Sequence, residues 1–578
     1  MNPLRLVSAA SPVAFTVLLA SACTASAAGQ DGADSKEEIN TSGGVLMEEQ
    51  ACFDVRHYGL EMEVFPDKKA IEATLTMTAD VVSASREIAL HLHPNLEVRS
   101  VMAAKGDGDL ALAQFKRVGG VIFIESGDFS ATVGDSFRVA VEYGGTPHVA
   151  SNPPWDGGFT WSKAGGKHWI ATSCQGEGAD LWWPCKDHPS DKPDSFDLSF
   201  TVPHGLEVAT NGRRLGEEIR TSLSLNNGET TKTVTSKWRV TTPIANYGVA
   251  LNIGPYVKLV DKMKSVAGDD IPIHFWVLPE NEEKGWLFIE EIKDHLAHLE
   301  SVCGPYPFRG DKYGVVETPH LGMEHQSIIA YGNKFRGDPN FDYDWLHHHE
   351  LSHEWWANLV TAKDWADFWI HEGIGTYMQP LYLEAKFGRE AYDKKMRIDL
   401  LRVLNRGPIA PTPPRTTDSI YFAQKGSDAP GIDIYMKGSW VCHSLRWLLG
   451  DETFFKVVRR WAYPDPALEN TTDGSAVRFS TTDEIIAIAE KVSGRDLGWF
   501  FKVYVRSAPL PKLSHSTKDG VLSLDWSAPG DVVFPMPVEI SVDGELRRID
   551  MPGGKATVEV GTAKVKVDPG RRVLKDKG

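Results

Sequence analysis

The sequence lacks an excess of positive charge and any close pair of cysteines. It has 61 Lys+Arg against 78 Asp+Glu, and its formal net charge is -17 at pH 7. A net negative field repels nucleic acid and anionic membrane surfaces, so neither is expected as a partner. The six cysteines form no Cys-x-x-Cys pair, which argues against a thiolate zinc site and a dense disulfide framework. One or two disulfides are an alternative that the sequence leaves open, and Cys174 with Cys185 is the pair to test.

A hydrophobic run long enough to span a membrane is also missing. The apolar stretch Leu6–Ala20, preceded by Arg5, is too short and too rich in Ser and Pro for such a span, and residues 1–22 are predicted to be a signal peptide. Residues 20–23 are similar to a bacterial lipoprotein cleavage box, with Cys23 as the lipid-bearing residue. Cleavage within Ala25–Ala28, giving a free secreted protein, is the alternative. We expect an exported protein of the periplasm or cell envelope, with membrane contact only through a lipid anchor at Cys23.

The chain length of 578 residues and the changes in periodicity predict several domains. Residues 23–50 are small and polar and are expected to form a flexible tether. Residues 51–258 contain short runs that alternate apolar and polar positions, such as Leu60–Val64, and are expected to form an antiparallel β domain. Residues 259–508 are mainly helical in pattern, and residues 509–578 return to short alternating runs that predict a small β-sandwich. The expected fold class is multidomain α+β.

Seven helices are predicted between residues 259 and 508, because apolar residues there recur every three to four positions. They are Glu283–Val302, Trp345–Val360, His371–Phe387, Glu390–Leu404, Tyr435–Leu449, Thr482–Val492 and Leu497–Val505.

The most informative segment is His-Glu-Leu-Ser-His at residues 349–353. On a helix, His349 and His353 lie one turn apart on the same face and can bind one metal ion, and Glu350 can reach a water at that metal. A hydrolytic zinc site needs three protein ligands and one open position. Glu372 follows His353 after 18 intervening residues, on the next predicted helix. The pattern predicts one Zn²⁺ per chain, held by His349, His353 and Glu372; a helix with a His-rich face is the alternative.

The segment HELSHEWWANLVTAKDWADFWIHEGIGTY, which begins at His349, resembles the zinc segment of the M1 (gluzincin) aminopeptidase family. The resemblance extends through the helical region and, more weakly, into both β domains. It implies a thermolysin-like catalytic domain, with Glu350 as the general base for the attacking water. Only a short β region follows the helical one, so the resemblance implies a three-domain form. The lipoprotein-like box at residues 20–23 gives the expected location in the bacterial envelope.

Three further segments resemble parts of the same family that bind the substrate. Leu321-Gly322-Met323-Glu324-His325 resembles its GxMEN exopeptidase motif, which implies that Glu324 binds the substrate's α-ammonium and that Gly322 and Met323 follow the bound peptide. Leu321 and His325 depart from that motif. Gln175 resembles the family's Gln that helps to bind the N-terminal residue. Tyr435, in Tyr-Met-Lys-Gly, resembles the family's Tyr whose hydroxyl donates to the oxyanion.

The predicted function is therefore that of a zinc metallopeptidase that removes N-terminal residues from peptides with free N-termini. The same zinc site acting as an epoxide hydrolase or as an endopeptidase is an alternative. A non-catalytic binding protein that kept the fold is another.

Overall fold

The computed structural model describes residues 42–576, apart from 128, 130–131, 224–229 and 423–426. The predicted signal peptide, both predicted cleavage sites with Cys23, and most of the predicted tether lie outside the described residues. Among the described residues, no helix is both long enough and apolar enough to cross a bilayer.

Alternating sequence produces the large sheet of the N-terminal region. In strand Ala70–Val81 every second residue is buried, beginning with Ile71, as expected for a sheet with one face against the core. The sheet has eight strands among the described residues, in the spatial order Arg213–Leu223, Thr230–Val240, Ser195–Pro203, Phe53–Phe65, Ala70–Val81, Ser136–Gly145, Leu96–Lys105 and Ala111–Leu112. Neighbouring strands are antiparallel except Phe53–Phe65 with Ser195–Pro203, which pair in parallel.

Two smaller sheets complete this region. One has the order Glu207–Thr210, Leu251–Gly254, Lys167–Ser173 and Gly158–Ala164, and the other has the order Glu87–His91, Val121–Glu125 and Phe115–Val118. Strand Lys167–Ser173 ends directly before the loop that carries Gln175.

A mixed sheet leads into the helical region. Its order is Val257–Lys264, Asp270–Val277, Tyr313–Glu317, Ile329–Tyr331 and Gly322–Met323, and its last strand lies in the segment that precedes Glu324. Strand Val257–Lys264 crosses the predicted boundary at residue 258 and belongs to this sheet.

The helices of the described residues are labelled in chain order. Helices α1 to α10 span Glu48–Ala51, Glu282–Cys303, Trp345–Ser352, Trp369–Phe387, Arg389–Leu400, Thr417–Tyr421, Asp433–Leu449, Asp451–Ala462, Thr482–Ser493 and Gly498–Tyr504. Helices α4 and α7 approach each other closely at Gly373 and Gly438, where a Cβ on Gly373 would lie 2.8 Å from the Gly438 Cα. This approach brings the helix of Glu372 beside the helix of Tyr435.

The C-terminal region is a pair of three-stranded sheets, as the alternating sequence predicts. Their orders are Lys512–Lys518, Val521–Ser527 and Lys555–Glu559 in one, and Glu545–Ile549, Val538–Val542 and Val565–Val567 in the other. A short parallel pair, Val360–Ala362 with Arg478–Ser480, lies in the helical region. The mixed α+β fold class is confirmed.

The cysteines do not form the disulfide considered from the sequence. Cys174 and Cys185 are both buried and free, as are Cys52, Cys303 and Cys442. In this fold the buried thiols pack as small apolar side chains within the hydrophobic core.

Candidate metal centre and peptide-binding site

Helix α3 carries His349, is followed directly by His353, and ends earlier than predicted. The Asp344 carboxylate caps its start by accepting from the His347 backbone N–H at 3.0 Å. The helix ends at Ser352 rather than continuing to Val360, and the chain continues through a π-type turn over Glu354–Leu359. Backbone angles leave the helical region at Trp356, with φ -102 and ψ 55. The predicted helix Trp345–Val360 is therefore wrong in its second half.

The break after α3 supplies partners to the site. The Trp356 carbonyl accepts a hydrogen bond from His353 Nδ1 at 3.0 Å, and Asn358 Nδ2 donates to the Glu324 carbonyl at 2.9 Å. A regular helix would place neither group there. Tertiary hydrogen bonds thus override a sequence that is compatible with a helix.

The structure brings the three predicted ligands together. His349 Nε2 and His353 Nε2 lie 3.2 Å apart, and Glu372 Oε2 lies 3.6 Å from the first and 3.4 Å from the second. Glu372 is in the first turn of α4, so the loop between α3 and α4 returns the chain to the histidines. Among the described residues, this is the one group of His, Cys, Asp and Glu side chains with geometry suited to a metal ion.

The chemistry of these three groups fits Zn²⁺. Because His353 Nδ1 donates to a backbone carbonyl, its Nε2 is the nitrogen that carries the lone pair. Glu372 Oε2 is buried and has no hydrogen-bond donor, so it is available as a ligand. Two imidazole nitrogens and one carboxylate oxygen are three of the four ligands of a hydrolytic zinc site, which leaves one position for water or substrate.

The electrostatics of the group also favour a cation. Burial lowers the pKa of His353, but the negative charge of Glu372 outweighs burial and raises that pKa to about 10. Burial raises the pKa of Glu372, and the charge on His353 then brings it well below its usual range. The same carboxylate that stabilises an imidazolium would stabilise a divalent cation.

Glu350 lies next to the predicted peptide-binding segment. It is 7% exposed, and burial followed by the charge of Glu324 raises the pKa of its carboxyl well above the usual range. A Cβ on Gly322 would lie 2.5 Å from Glu350 Oε1, so the strand passes close to that carboxyl. Met323 is only 4% exposed and packs in the hydrophobic core.

Glu324 is a buried carboxylate held by neutral partners. It is 3% exposed, and its Oε1 accepts hydrogen bonds from Gln175 Nε2 and, at 3.0 Å, from the Tyr247 hydroxyl. Burial raises its pKa, which the positive charge on His353 partly offsets. Gln175 and Glu324, predicted from separate segments, thus meet in the structure. Tyr247 was not predicted, because an isolated Tyr in a β-rich segment carries no signal.

Two tyrosine hydroxyls face the carboxylate of Glu372. The ring of Tyr435 lies 6.1 Å from that of His349, and its hydroxyl is 3.2 Å from the hydroxyl of Tyr421. The Tyr421 hydroxyl lies 3.2 Å from Glu372 Oε1. Tyr435 was predicted. Tyr421 was not, because the short helix α6 that carries it has too few residues to show a helical period.

The matched family domains cover both halves of this site. Residues 55–247 match the Peptidase M1 N-terminal domain, and residues 313–477 match the Peptidase family M1 domain. These ranges contain Gln175 in the first and every other predicted site residue in the second.

Relatives of known name are similar at low identity. Aminopeptidase M1-D of Oryza sativa subsp. japonica is 22% identical over 62% of this chain and 39% of its own length. Leukotriene A-4 hydrolase of Xenopus laevis is 24% identical over 60% of this chain and 53% of its own length. Aminopeptidase N of Bos taurus is 24% identical over 52% of this chain and 32% of its own length. The chain therefore spans about a third to a half of the length of these curated relatives.

Solved structures show the same fold. An M1 zinc metallopeptidase from Deinococcus radiodurans aligns with a TM-score of 0.61 and 21% identity, over 80% of this chain and 95% of that chain. A mutant of the same protein, bound to a Tyr-Ser-Ala substrate, aligns equally well. The two M1 domain matches show the family, and with the His-His-Glu set of ligands they assign Zn²⁺ as the cofactor: the chain belongs to peptidase family M1.

Proposed function

We propose that this protein is a zinc aminopeptidase, which removes single residues from the N-termini of peptides. The observation that carries the proposal is the carboxylate of Glu324, buried beside the metal ligands and bound by two uncharged side chains. A buried carboxylate is stabilised by a cationic partner, and the α-ammonium of a peptide can supply it. An enzyme that cleaves internal bonds has no need of such a fixed charge.

The residues of the chain divide the chemistry among them. Zn²⁺, when bound, supplies Lewis-acid polarisation of the scissile carbonyl and lowers the pKa of water. Glu350 accepts a proton from the attacking water on its carboxylate and passes it to the leaving amine. The Tyr435 hydroxyl donates to the oxygen that gains negative charge. His349, His353 and Glu372 would hold the ion.

The amine-binding residues select the bond. Glu324 accepts hydrogen bonds from the α-ammonium, and Gln175 offers its amide oxygen, which points away from Glu324. An ammonium fixed at this place allows only the first peptide bond to reach the metal, because the distance from the amine to later bonds is greater. The substrate must therefore have a free N-terminus.

The proposed location is the periplasm or cell envelope. The support is in the sequence: an apolar stretch at Leu6–Ala20, followed by the lipoprotein-like box that ends at Cys23. A lipid at Cys23 would join the enzyme to the membrane through the polar residues that follow it. Separation of membrane and soluble fractions for the wild type and for Cys23→Ala tests this; if both are equally soluble, the anchor is refuted.

The proposed reaction is tested with matched peptides. Each peptide is offered with a free and with an acetylated N-terminus, before and after zinc is removed by a chelator and restored. The proposal expects stepwise shortening of the free peptides alone, lost with the chelator and recovered with Zn²⁺. Cleavage of acetylated peptides at internal bonds would make the protein an endopeptidase, and turnover confined to a lipid epoxide would make it an epoxide hydrolase.

A further inference from the structure

The hydroxyl of Tyr421 lies within hydrogen-bonding distance of three groups of the site. It is 3.1 Å from Gln175 Oε1, 3.2 Å from Glu372 Oε1 and 3.2 Å from the hydroxyl of Tyr435. Its ring is half-buried and packs edge-on against Phe368, with ring centroids 5.2 Å apart. Phe368 directly precedes α4, so the ring is fixed against the start of the helix that carries Glu372.

Gln175 and Tyr421 share one support, although they are far apart in sequence. The side chain of Thr417 in α6 donates a hydrogen bond to the carbonyl of Gly176, the residue after Gln175. The backbone N–H of Ser42 donates to the same carbonyl at 3.3 Å, and the Thr417 N–H donates to the Ser42 carbonyl at 3.2 Å. The first described residues of the chain thus join the loop of Gln175 to the helix of Tyr421.

A phenol has one proton, so Tyr421 cannot donate to both amide and carboxylate oxygens at once. The charged Glu372 Oε1 is the stronger acceptor. Donation to it leaves the Tyr421 oxygen free to accept the Tyr435 proton while no substrate is bound, which fixes the position of the Tyr435 oxygen. When the oxyanion forms, the single Tyr435 proton turns from Tyr421 to it. The Gln175 amide oxygen then needs another donor, which the ammonium of a substrate provides.

We infer that Tyr421 is a positioning residue, which orients the zinc ligand Glu372 and the oxyanion donor Tyr435. Its bond to Glu372 Oε1 turns the other oxygen, Oε2, toward the two histidines. Hydrogen-bond partners of metal ligands typically change metal affinity or activity by about 10- to 100-fold when removed. The effect on zinc affinity follows from the geometry alone, whereas the effect on turnover rests on the proposed function.

The first experiment measures zinc affinity in the purified full chain, with Tyr421→Phe compared with the wild type. Phe keeps the ring packed on Phe368 and removes only the hydroxyl. Competition for Zn²⁺ against a fluorescent chelator should show affinity weakened by about 10-fold or more. The matched control is Tyr382→Phe, because Tyr382 also lies on α4 and its hydroxyl donates to Asp294, at 2.6 Å, outside the site. The control should bind zinc as the wild type does.

The second experiment measures turnover of an aminoacyl-p-nitroanilide at saturating Zn²⁺. Tyr421→Phe should lower kcat by about 10-fold or more and change KM less than about twofold, since the amine anchor Glu324 is intact. A variant that is only partly folded would instead contain less active enzyme, in proportion to its folded fraction. Titration of bound zinc measures that fraction.

The outcomes separate this inference from the proposed function. Zinc affinity in Tyr421→Phe within twofold of the wild type overturns the inference, whatever the peptidase activity. Weakened zinc binding with unchanged kcat at saturating zinc overturns the part that concerns Tyr435. If the wild type cleaves no peptide but Tyr421→Phe binds zinc more weakly, the proposed function fails and the positioning of Glu372 is supported.

Discussion

Replacing Glu324 by Gln tests the amine anchor, because it removes the charge and keeps the size of the side chain. In the structure this carboxylate is 3% exposed, so solvent screens it little. A hydrogen bond to a charged group contributes about 1.5–3 kcal/mol, and the burial here favours the upper end. Since 1.4 kcal/mol is a factor of ten, a loss of about 3 kcal/mol corresponds to a fall in kcat/KM of roughly 100-fold for free N-termini.

A smaller change at the same carboxylate should give a smaller loss of activity. Tyr247→Phe removes one hydrogen bond of 3.0 Å to Glu324 Oε1 and leaves the charge in place. The expected cost is about 1 kcal/mol, or roughly fivefold in kcat/KM. Neither residue is a metal ligand, so zinc content should equal that of the wild type in both variants.

The assay compares an aminoacyl-p-nitroanilide with its N-acetyl form under identical conditions. The ratio of the two values of kcat/KM should fall toward one in Glu324→Gln, because the selection for an ammonium is gone. An equal loss on both substrates would refute the role of Glu324 as the amine anchor. It would instead indicate a general defect in the site.

Three further changes test the site and its support. Glu350→Gln should keep one zinc per chain by metal analysis and lower kcat by at least about 100-fold, since a proton acceptor is lost; a rate near that of the wild type would remove Glu350 from its role. Gly373→Ala should lower the thermal midpoint by several degrees, because its Cβ would lie 2.8 Å from the Gly438 Cα and from the Ile434 carbonyl oxygen; an unchanged midpoint would contradict the close approach of α4 and α7. Gly43→Ala should lower stability by about 1–3 kcal/mol in denaturant unfolding, since φ is +87 and the Cβ would collide with the ring of Trp365; wild-type stability would contradict this packing.

The zinc ligands were predictable because their geometry is mostly local. Two histidines four residues apart on a helix share a face in any fold, and a carboxylate on the next helix needs only one turn to return. The end of α3 was not predictable, because the turn over Glu354–Leu359 is set by partners elsewhere, among them Asn358 and the Glu324 carbonyl. A pattern within the segment cannot report such a contact.

Helix α8 is not among the predicted helices, although its sequence carries the signal. Phe454, Val457, Val458 and Trp461 are buried and recur with the spacing of one helix face. The tyrosines of the site are a different case. Tyr247 and Tyr421 reach Glu324 and Glu372 only through tertiary folding, and nothing in their own segments distinguishes them from core aromatics.

Anomalous diffraction at the zinc edge, from crystals of the purified protein, shows directly whether His349, His353 and Glu372 hold the metal ion. One strong peak per chain is expected, about 2.0–2.2 Å from His349 Nε2, His353 Nε2 and an oxygen of Glu372. A peak at another place, or protein that holds no zinc when Zn²⁺ is supplied, would contradict it.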